Sequence, residues 1–390
     1  MTPLAALIAR QRPGWTLDRE FYVDPDVAVA EFDAIWRRRW LFVAAACELA
    51  ESGAFVTLLI GDEPIVIVRG ADHQVRAFAN VCRHRGSRVC AAESGRVHRL
   101  VCPYHAWTYD LDGRLLSDVR AHGVAAEDHG LKKLATAEIG GLIFVSLAMD
   151  PPDIAPMRVA FAPRFAPQGL GQARIAKQID YRVAANWKIV FENNRECLHC
   201  PTAHREYIRA NYDIHLDDPR RADEIATRTQ AEAQRWSAMG LEPPTLISDM
   251  TASWYRVNRT PLVPGFVTES LDGKPVAPVM GRYATHDVGT LRATVFPNFW
   301  LHGSGDHAVA TRLLPDGPGA TRVRVTWFVD SRAAEGRDYS LERLLPFWQL
   351  TSEQDWTLCE NVQLGLASHA YEPGPLARVK ERNVAQFIAW

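Results

Sequence analysis

Two short segments of this chain carry one cysteine and one histidine each, and they constrain the fold more than any other feature. The first is Cys82-Arg-His84, and seventeen residues later the second runs Cys102-Pro-Tyr-His105. Both segments follow strand-like runs, and Gly86 and Pro103 supply residues that tight loops favour. The pattern predicts two hairpin-like loops that present two thiolates and two imidazoles to metal.

The order of these ligands separates two kinds of metal site. Zinc accepts the same four side chains in a tetrahedron, but zinc fingers usually pair Cys with Cys and His with His. Here each loop offers one Cys and one His, and two Cys on one iron with two His on the other form the ligand set of a Rieske [2Fe–2S] cluster. We therefore predict that such a cluster is held by Cys82, His84, Cys102 and His105.

Length and composition narrow the class of protein. A chain of 390 residues is long enough for two domains, and its formal net charge of −2 predicts no nucleic-acid partner. No apolar run approaches the ~18 residues that cross a bilayer, and the N-terminal residues lack the basic start of a signal peptide. Of the seven cysteines, five remain beyond the cluster, without disulfide-like spacing. This predicts a reducing, cytoplasmic location and no membrane partner.

The distribution of strand and helix patterns predicts an α+β fold. Residues 41–150 alternate as short strands with turns, which predicts a small all-β domain around the cluster. Further strands and helices follow without βαβ alternation, a pattern typical of a twisted antiparallel sheet packed by helices. We expect the strands at 173–183, 253–258, 291–296, 308–314 and 321–328 and the helices at 187–202, 217–238, 341–366 and 376–389. We predict that residues 1–40, with a helix at 26–39, and residues 151–390 form one domain into which the β domain is inserted.

A second group of candidate ligands lies at the start of that domain. His199 and His204 are five residues apart, a poor match to one helical face, and we expect Pro201 to end or kink the helix so that His204 turns back. Glu196 lies three residues before His199. Cys197 and Cys200 with the two histidines leave a zinc site as an alternative. Two histidines and one carboxylate would instead form the open iron site of a non-haem oxygenase.

The carboxylate of such a site has three candidates. Glu353, Asp355 and Glu360 all lie in a predicted helix whose core-facing residues are Leu344, Leu358, Val362 and Leu366. Their spacing from the apolar residues does not separate the three.

The motifs together resemble the alpha subunits of Rieske non-haem iron oxygenases over nearly the whole chain. The resemblance rests on the two cluster segments, on Glu196-Cys-x-His-Cys-Pro-x-x-His204, and on Asp355-x-x-x-Cys-Glu-x-Val-Gln-x-Gly. It selects Asp355 as the third iron ligand and implies a helix-grip type of catalytic domain. One departure is Ala106, where the family usually has Gly.

The same resemblance implies an activity and partners. The Glu-Cys-x-His-Cys version is similar to the glycine betaine monooxygenase and proline betaine (stachydrine) demethylase group, which implies O2-dependent N-demethylation of a small quaternary ammonium compound with release of formaldehyde. It further implies a mononuclear Fe(II), an NAD(P)H-dependent flavin and iron–sulfur reductase, and a homotrimer in which Glu196 links His105 of one subunit to His199 or His204 of the next.

Three residues at a strand end are candidates for substrate contact. Phe299, Trp300 and His302 lie where pockets tend to form, and aromatic faces hold quaternary ammonium groups by cation–π attraction. A small pocket with at least two aromatic walls would favour this substrate class. A wide aliphatic pocket would favour hydroxylation of an aromatic ring or aromatic acid, and a chain with the cluster alone would be an electron carrier.

Overall fold

The computed structural model describes residues 3–117, 125–212, 220–242 and 254–390. The chain forms two compact units. The first, here called the β unit, comprises residues 33–165 and 169–172, and the second, the sheet–helix unit, comprises 1–32, 166–168 and 173–390. The β unit is thus inserted in the sequence of the other. The domain limits expected at 40/41 and 150/151 stay a prediction.

Three short helices open the sheet–helix unit: α1 (Pro3–Arg10), α2 (Glu20–Val23) and α3 (Pro25–Glu31). The Asp24 side chain caps α3 by accepting a hydrogen bond from the Asp26 N–H at 2.8 Å, and Pro25 takes the first helical position, where no N–H is needed. A π-helical turn, Phe32–Trp36, follows directly. The helix predicted over 26–39 is therefore two different helical segments and ends at Trp36.

The β unit is built entirely from antiparallel pairs. One sheet has the order β1-β10-β9-β4-β3-β2-β5, and a second, small sheet has the order β6-β7-β8. The elements are β1 (Leu41–Ala45), β2 (Ala54–Ile60), β3 (Glu63–Arg69), β4 (Val75–Ala79), β5 (Ser94–Arg96), β6 (Leu100–Val101), β7 (Thr108–Tyr109), β8 (Leu115–Ser117), β9 (Lys133–Ile139) and β10 (Leu142–Ser146), followed by α4 (Ala155–Phe165). A core that includes Phe55, Phe78, Trp107 and Tyr109 encloses Cys82 and Cys102.

The sheet–helix unit contains one antiparallel sheet of the order β11-β16-β15-β14-β13-β12. Its strands are β11 (Arg174–Val183), β12 (Tyr255–Thr260), β13 (Thr290–Val295), β14 (Phe299–Gly303), β15 (His307–Pro315) and β16 (Thr321–Val329). Arg292 is paired with His302 and Thr294 with Trp300. Because side chains alternate between faces along a strand, these four residues lie on one face of the sheet.

Helices pack against this sheet, as predicted. The helices of this part of the chain are α5 (Trp187–Asn193), α6 (Cys200–Ala203), α7 (Arg205–Ala210), α8 (Ala222–Ala238), α9 (Leu341–Leu344), α10 (Pro346–Leu366) and α11 (Arg382–Ala389). Helix α5 packs on β15 and α10 packs on β11. The α+β prediction with an antiparallel sheet is confirmed. Residues 217–219 and 253 of the predicted helix and strand lie outside the described residues.

Two details of the helix predictions are wrong. The helix expected over 187–202 ends at Asn193, and Pro201 does not end a helix but stands in the first turn of α6, where a proline costs no hydrogen bond. Val362, expected in the core, is half exposed at 50% on α10. Apolar spacing alone does not distinguish a buried helical face from an adjacent exposed position.

Candidate metal centres and substrate cavity

The two cysteine–histidine segments form two loops of the same construction. In each, the N–H of the fifth residue donates to the carbonyl of the cysteine, and the N–H of the cysteine donates to the carbonyl of the sixth residue. The distances are 3.0 and 2.8 Å for Cys82 with Gly86 and Ser87, and 3.0 and 2.9 Å for Cys102 with Ala106 and Trp107. This repeated construction presents one Cys and one His from each loop.

The fifth residue of each loop has left-handed backbone geometry. Its φ is 77° at Gly86 and 60° at Ala106. A Cβ is disfavoured in this region by roughly 1–2 kcal/mol. The departure at Ala106 therefore falls at the loop position where glycine is the natural residue.

The four cluster candidates differ in burial. The sulfurs belong to buried residues, with Cys82 3% and Cys102 2% exposed, whereas His84 and His105 are half-buried, with ring centroids 4.6 Å apart. The Tyr109 hydroxyl lies 3.4 Å from the Cys82 Sγ. Hydrogen bonds near the sulfurs and partial exposure of the histidines are the features by which proteins tune such clusters. These residues fit a [2Fe–2S] cluster.

His199, His204 and Asp355 come together in the sheet–helix unit. Their ligand atoms all lie within 4.8 Å of one another. The Asp355 Oδ1 is 2.8 Å from His204 Nε2 and 3.3 Å from His199 Nε2. Two imidazoles and one carboxylate with open positions are the donor set of mononuclear non-haem Fe(II). The residues therefore fit a single iron ion.

Outer contacts fix the orientation of both imidazoles. Glu196 Oε1 lies 2.5 Å from His199 Nδ1, and Gln354 Oε1 lies 2.7 Å from His204 Nδ1. An acceptor on Nδ1 places the proton there and leaves Nε2 free to bind metal. Glu196 also accepts a hydrogen bond from the Leu198 N–H. Both histidines thus point the correct nitrogen toward Asp355.

The proton equilibria of the site reflect the same contacts. Burial alone would raise the pKa of Asp355, but hydrogen bonds from His199 and His204 hold it below its ordinary value. Burial would lower the pKa of His199, but hydrogen bonds to Asp355 and Glu196 raise it to about 9. Metal binding must therefore displace a proton from this group of residues.

The other two carboxylates of α10 have different partners. Glu353 Oε1 accepts from the Gln349 amide at 2.9 Å, and Glu360 Oε1 accepts from the Ala184 N–H at 2.9 Å. Neither belongs to the three-residue ligand group. Asp355 alone of the three is turned toward the histidines.

Cys197 and Cys200 form a disulfide, with their Cα atoms 5.0 Å apart. This corrects the expectation that no two cysteines have disulfide-like spacing, and it also removes these sulfurs as zinc ligands. The inference of a reducing compartment loses this support, and the cytoplasmic location stays a prediction. The helix expected over 187–202 includes both cysteines, whereas α5 ends before them, at Asn193.

A cavity of about 180 Å³ adjoins the candidate iron site. It is smaller than the roughly 300 Å³ at the lower end of sites for drug-sized ligands. Three aromatic residues form part of its wall: Tyr207, Trp300 and Trp348. This agrees with the expectation of a small pocket with at least two aromatic walls.

The three predicted substrate residues have different positions. Trp300 and His302 line the cavity, and His302 Nδ1 is 3.2 Å from Oε1 of the buried Glu269. Phe299 does not belong to the lining among the described residues, because alternation along β14 directs its side chain to the opposite face.

Tyr207 and Trp348 also line the cavity but were not among the residues predicted from the sequence. The spacing of Trp348, Thr351 and Asp355 at three and four residues on one helix was the available signal.

Family comparisons agree with both centres. Residues 39–126 match the family described as "Rieske [2Fe-2S] domain", and residues 170–390 match "Ring hydroxylating alpha subunit (catalytic domain)". The second match alone spans more than half of the chain. The chain is a Rieske non-haem iron oxygenase alpha subunit.

Similar curated proteins belong to the same family. The glycine betaine monooxygenase oxygenase subunit of Chromohalobacter salexigens is 41% identical, over 100% of this chain and 89% of that protein. The protein of the same name from Pseudomonas aeruginosa strain PAO1 is 37% identical, over 99% and 90%. The Rieske oxygenase described here is thus a non-haem iron monooxygenase by family, and its two domains are those that bind the [2Fe–2S] cluster and the mononuclear iron.

Solved structures show the same fold at low identity. The quaternary ammonium Rieske monooxygenase CntA with L-carnitine superposes with a TM-score of 0.70 at 22% identity, covering 97% of this chain and 96% of that chain. Naphthalene 1,2-dioxygenase with indole gives 0.64 at 17% identity, covering 97% and 91%. No helix among the described residues of this Rieske oxygenase is long and apolar enough to span a membrane.

Proposed function

We propose that this Rieske oxygenase hydroxylates an N-methyl group of a small quaternary ammonium compound of the betaine type. One observation carries the proposal: a cavity of about 180 Å³ with three aromatic walls adjoins the His199–His204–Asp355 group. Aromatic faces attract a desolvated ammonium group by ~2 kcal/mol. The relationship to glycine betaine monooxygenase oxygenase subunits supports the same substrate class.

The proposed reaction consumes one O2, two electrons and two protons. One oxygen atom enters a C–H bond of the N-methyl group and the other leaves as water. The resulting N–CH2OH group breaks at its C–N bond, releasing formaldehyde and the amine with one methyl fewer. Bound iron supplies the activation of O2 that this chemistry requires.

The residues of the chain position the reactants. His199, His204 and Asp355 would hold the metal, with Glu196 and Gln354 fixing the two imidazoles. Tyr207, Trp300 and Trp348 would hold the ammonium group against the metal side of the cavity and exclude water from it. Cys82, His84, Cys102 and His105 would hold the cluster that delivers single electrons.

Electrons would come from an external NAD(P)H-dependent flavin and iron–sulfur reductase. We further propose a homotrimer in which His105 of one subunit lies next to Glu196 of its neighbour. A carboxylate that already binds the Nδ1 of His199 can accept a second imidazole N–H through its remaining lone pairs. Glu196 would then link the two metal centres.

Formaldehyde assays test the proposed activity. The purified protein, reduced by a suitable reductase, is incubated with glycine betaine, proline betaine and L-carnitine, and in parallel with benzoate and anthranilate. We expect formaldehyde from at least one betaine in proportion to the O2 consumed. Ring-hydroxylated products without formaldehyde would instead establish the rival function, an aromatic-ring oxygenase.

Replacement of Glu196 tests the link between the centres. Glu196→Gln keeps an acceptor for His199 but loses the charge, and we expect full metal content with turnover reduced at least tenfold. Single-turnover oxidation of the reduced cluster should slow by the same factor. Normal coupled turnover in this variant would refute the bridging role.

A further inference from the structure

The substrate cavity has more positive than negative charge on its wall. Glu196 and Asp355 are the acidic residues of the described lining, and both are engaged with the histidines. Glu269 lies behind the wall and pairs with His302. Five basic residues line the same cavity: Arg195, Arg256, Arg292, Lys380 and Arg382. A bound Fe(II) adds further positive charge.

Basic side chains on the wall attract an anionic group of a ligand, and this attraction is strong in a partly desolvated site. The aromatic walls attract an ammonium group by ~2 kcal/mol or less for each cation–π contact. The cavity therefore suits a substrate that carries its own negative charge.

Arg195 has hydrogen-bonding capacity that no described residue uses. It is 6% exposed, and Nη1 donates to Thr294 Oγ1 at 3.3 Å. Its Nε and Nη2 are buried and have no acceptor among the residues that the structure describes. These two nitrogens form one edge of the guanidinium, the fork that matches the two oxygens of a carboxylate. A buried donor without a partner is costly, and a ligand that supplies the acceptor removes this cost.

Arg195 belongs to the wall of the substrate cavity and lies near one of its aromatic residues. Thr294, which it contacts, is paired across the sheet with Trp300, one of the aromatic walls. Burial, together with the neighbouring charge of Arg256, lowers the pKa of Arg195 to about 9, so that the side chain keeps its charge at neutral pH. An anion placed at Arg195 would relieve the repulsion from Arg256 as well.

We propose that Arg195 binds a carboxylate of the substrate through its Nε–Nη2 edge, and that the site therefore selects N-methylated betaines over N-methylated amino alcohols. The inference rests on the proposed function, because it places the carboxylate at Arg195 while the aromatic wall of the same cavity receives the ammonium group. Arg195 is a specificity-determining residue in this arrangement and does not touch the reacting methyl group.

Four ligands test separately how the ammonium group and the carboxylate of the substrate contribute to binding. Glycine betaine and choline carry the ammonium group with and without a carboxylate, and 3,3-dimethylbutanoate and 3,3-dimethylbutan-1-ol repeat the pair with carbon in place of nitrogen. Calorimetric titration of the metal-loaded protein should show at least tenfold tighter binding of each carboxylate than of its alcohol. In Arg195→Gln we expect affinity for both carboxylates to fall by roughly 10- to 100-fold and affinity for the alcohols to stay.

Two further variants keep the test decisive. Arg195→Lys retains the charge without the fork and should recover part of the carboxylate affinity, which also guards against a folding defect in Arg195→Gln. Arg182→Gln removes an exposed arginine that pairs with Asp316 outside the cavity, and it should bind all four ligands as the unsubstituted protein does. With glycine betaine as substrate, Arg195→Gln should raise KM far more than it lowers kcat.

Two results would overturn the inference: equal binding of carboxylates and alcohols by the unsubstituted protein, or an unchanged preference for carboxylates in Arg195→Gln. Failure of the proposed function gives a different result. In that case the carboxylates, including 3,3-dimethylbutanoate, bind through Arg195 but no betaine yields formaldehyde.

Discussion

At the scale of single residues, Ala106 occupies a position in a cluster loop where the family usually has glycine. Its φ of 60° is of the kind that Gly86 adopts at the equivalent position of the other cluster loop. The cost of a Cβ in this conformation is borne beside His105, a cluster ligand. The protein therefore keeps the loop geometry at the expense of some stability.

Ala106→Gly should stabilise the β unit by about 1 kcal/mol, because glycine adopts left-handed geometry without strain. The temperature at which the visible absorption of the cluster is lost should rise by about 2 to 4 °C. Ala92→Gly provides the control, since Ala92 is exposed and has no positive φ. It should lower stability slightly, and an equal response of the two variants would contradict the strain at Ala106.

Glu192 should make stability depend on pH. Burial raises the pKa of Glu192 to about 7, while the Tyr22 hydroxyl donates a hydrogen bond to its carboxylate at 3.1 Å. In the unfolded chain the pKa is about 4.3. Between these values the folded state binds more protons, so this contribution to stability is complete below about pH 4.3 and is lost as pH rises through 7.

The substitution Glu192→Gln should remove this loss, because the amide accepts from Tyr22 but never ionises. Urea unfolding should show similar stability for both proteins at pH 4 and an advantage of the variant by at most about 4 kcal/mol at pH 8. Glu353→Gln, at an exposed position, should follow the unsubstituted protein. A variant Glu192→Gln with the same loss of stability would assign the pH dependence to other groups.

At the scale of elements, the proposed iron ligands are positioned by two helices of very different length. His199 and His204 stand at the ends of the four-residue helix α6, as its flanking residues, whereas Asp355 lies inside the 21-residue helix α10. The long helix also carries Trp348, Thr351 and Gln354. One helix therefore determines the position of the Asp355 carboxylate, part of the cavity wall and the orientation of His204.

Gln354→Leu should weaken iron binding by about 10- to 100-fold, because His204 would lose the acceptor that fixes its Nδ1–H. Competition with a chelator, followed by iron analysis, measures the effect. Gln349→Leu is a matched control on the same helix, where the amide contacts Glu353 rather than a ligand. Equal iron retention by the two variants would show that Gln354 does not support the site.

The sequence predicts an element well when its pattern depends on residues that are close together in the chain. Alternation predicted five of the six strands of the sheet in the sheet–helix unit and missed β14 (Phe299–Gly303), while Cys and His spacing predicted the cluster loops. Asp355 could not be chosen by periodicity, because Glu353 and Glu360 differ from it only in tertiary partners, Gln349 and Ala184. The burial of Arg195 likewise depends on contacts distant in sequence, such as that with Thr294, whereas Cys197 and Cys200 pair across only three residues.

At the scale of the whole molecule, the two proposed metal centres belong to different compact units. The proposed cluster ligands all belong to the β unit and the proposed iron ligands all belong to the sheet–helix unit. Loss of one centre therefore leaves the ligand set of the other complete.

Asp355→Ala should reduce the iron content from three to two per chain and leave the visible spectrum of the cluster unchanged. Iron analysis and absorption spectroscopy of the same sample measure both quantities. Glu360→Ala, one helical turn further along α10, should keep three. A loss of cluster absorption in Asp355→Ala, or two irons per chain in the unsubstituted protein, would contradict the assignment of separate centres.

The contact between His204 and Asp355 joins positions 151 residues apart in the chain. An ion bound there acts as a cross-link that closes a long loop of the chain. While the ion stays bound, the unfolded chain has less conformational entropy than it would have with the loop open. Folding of the sheet–helix unit and its supply of iron are therefore linked by mass action. Iron scarcity would act on this enzyme twice, by emptying the site and by lowering the barrier to proteolysis of the chain that contains it.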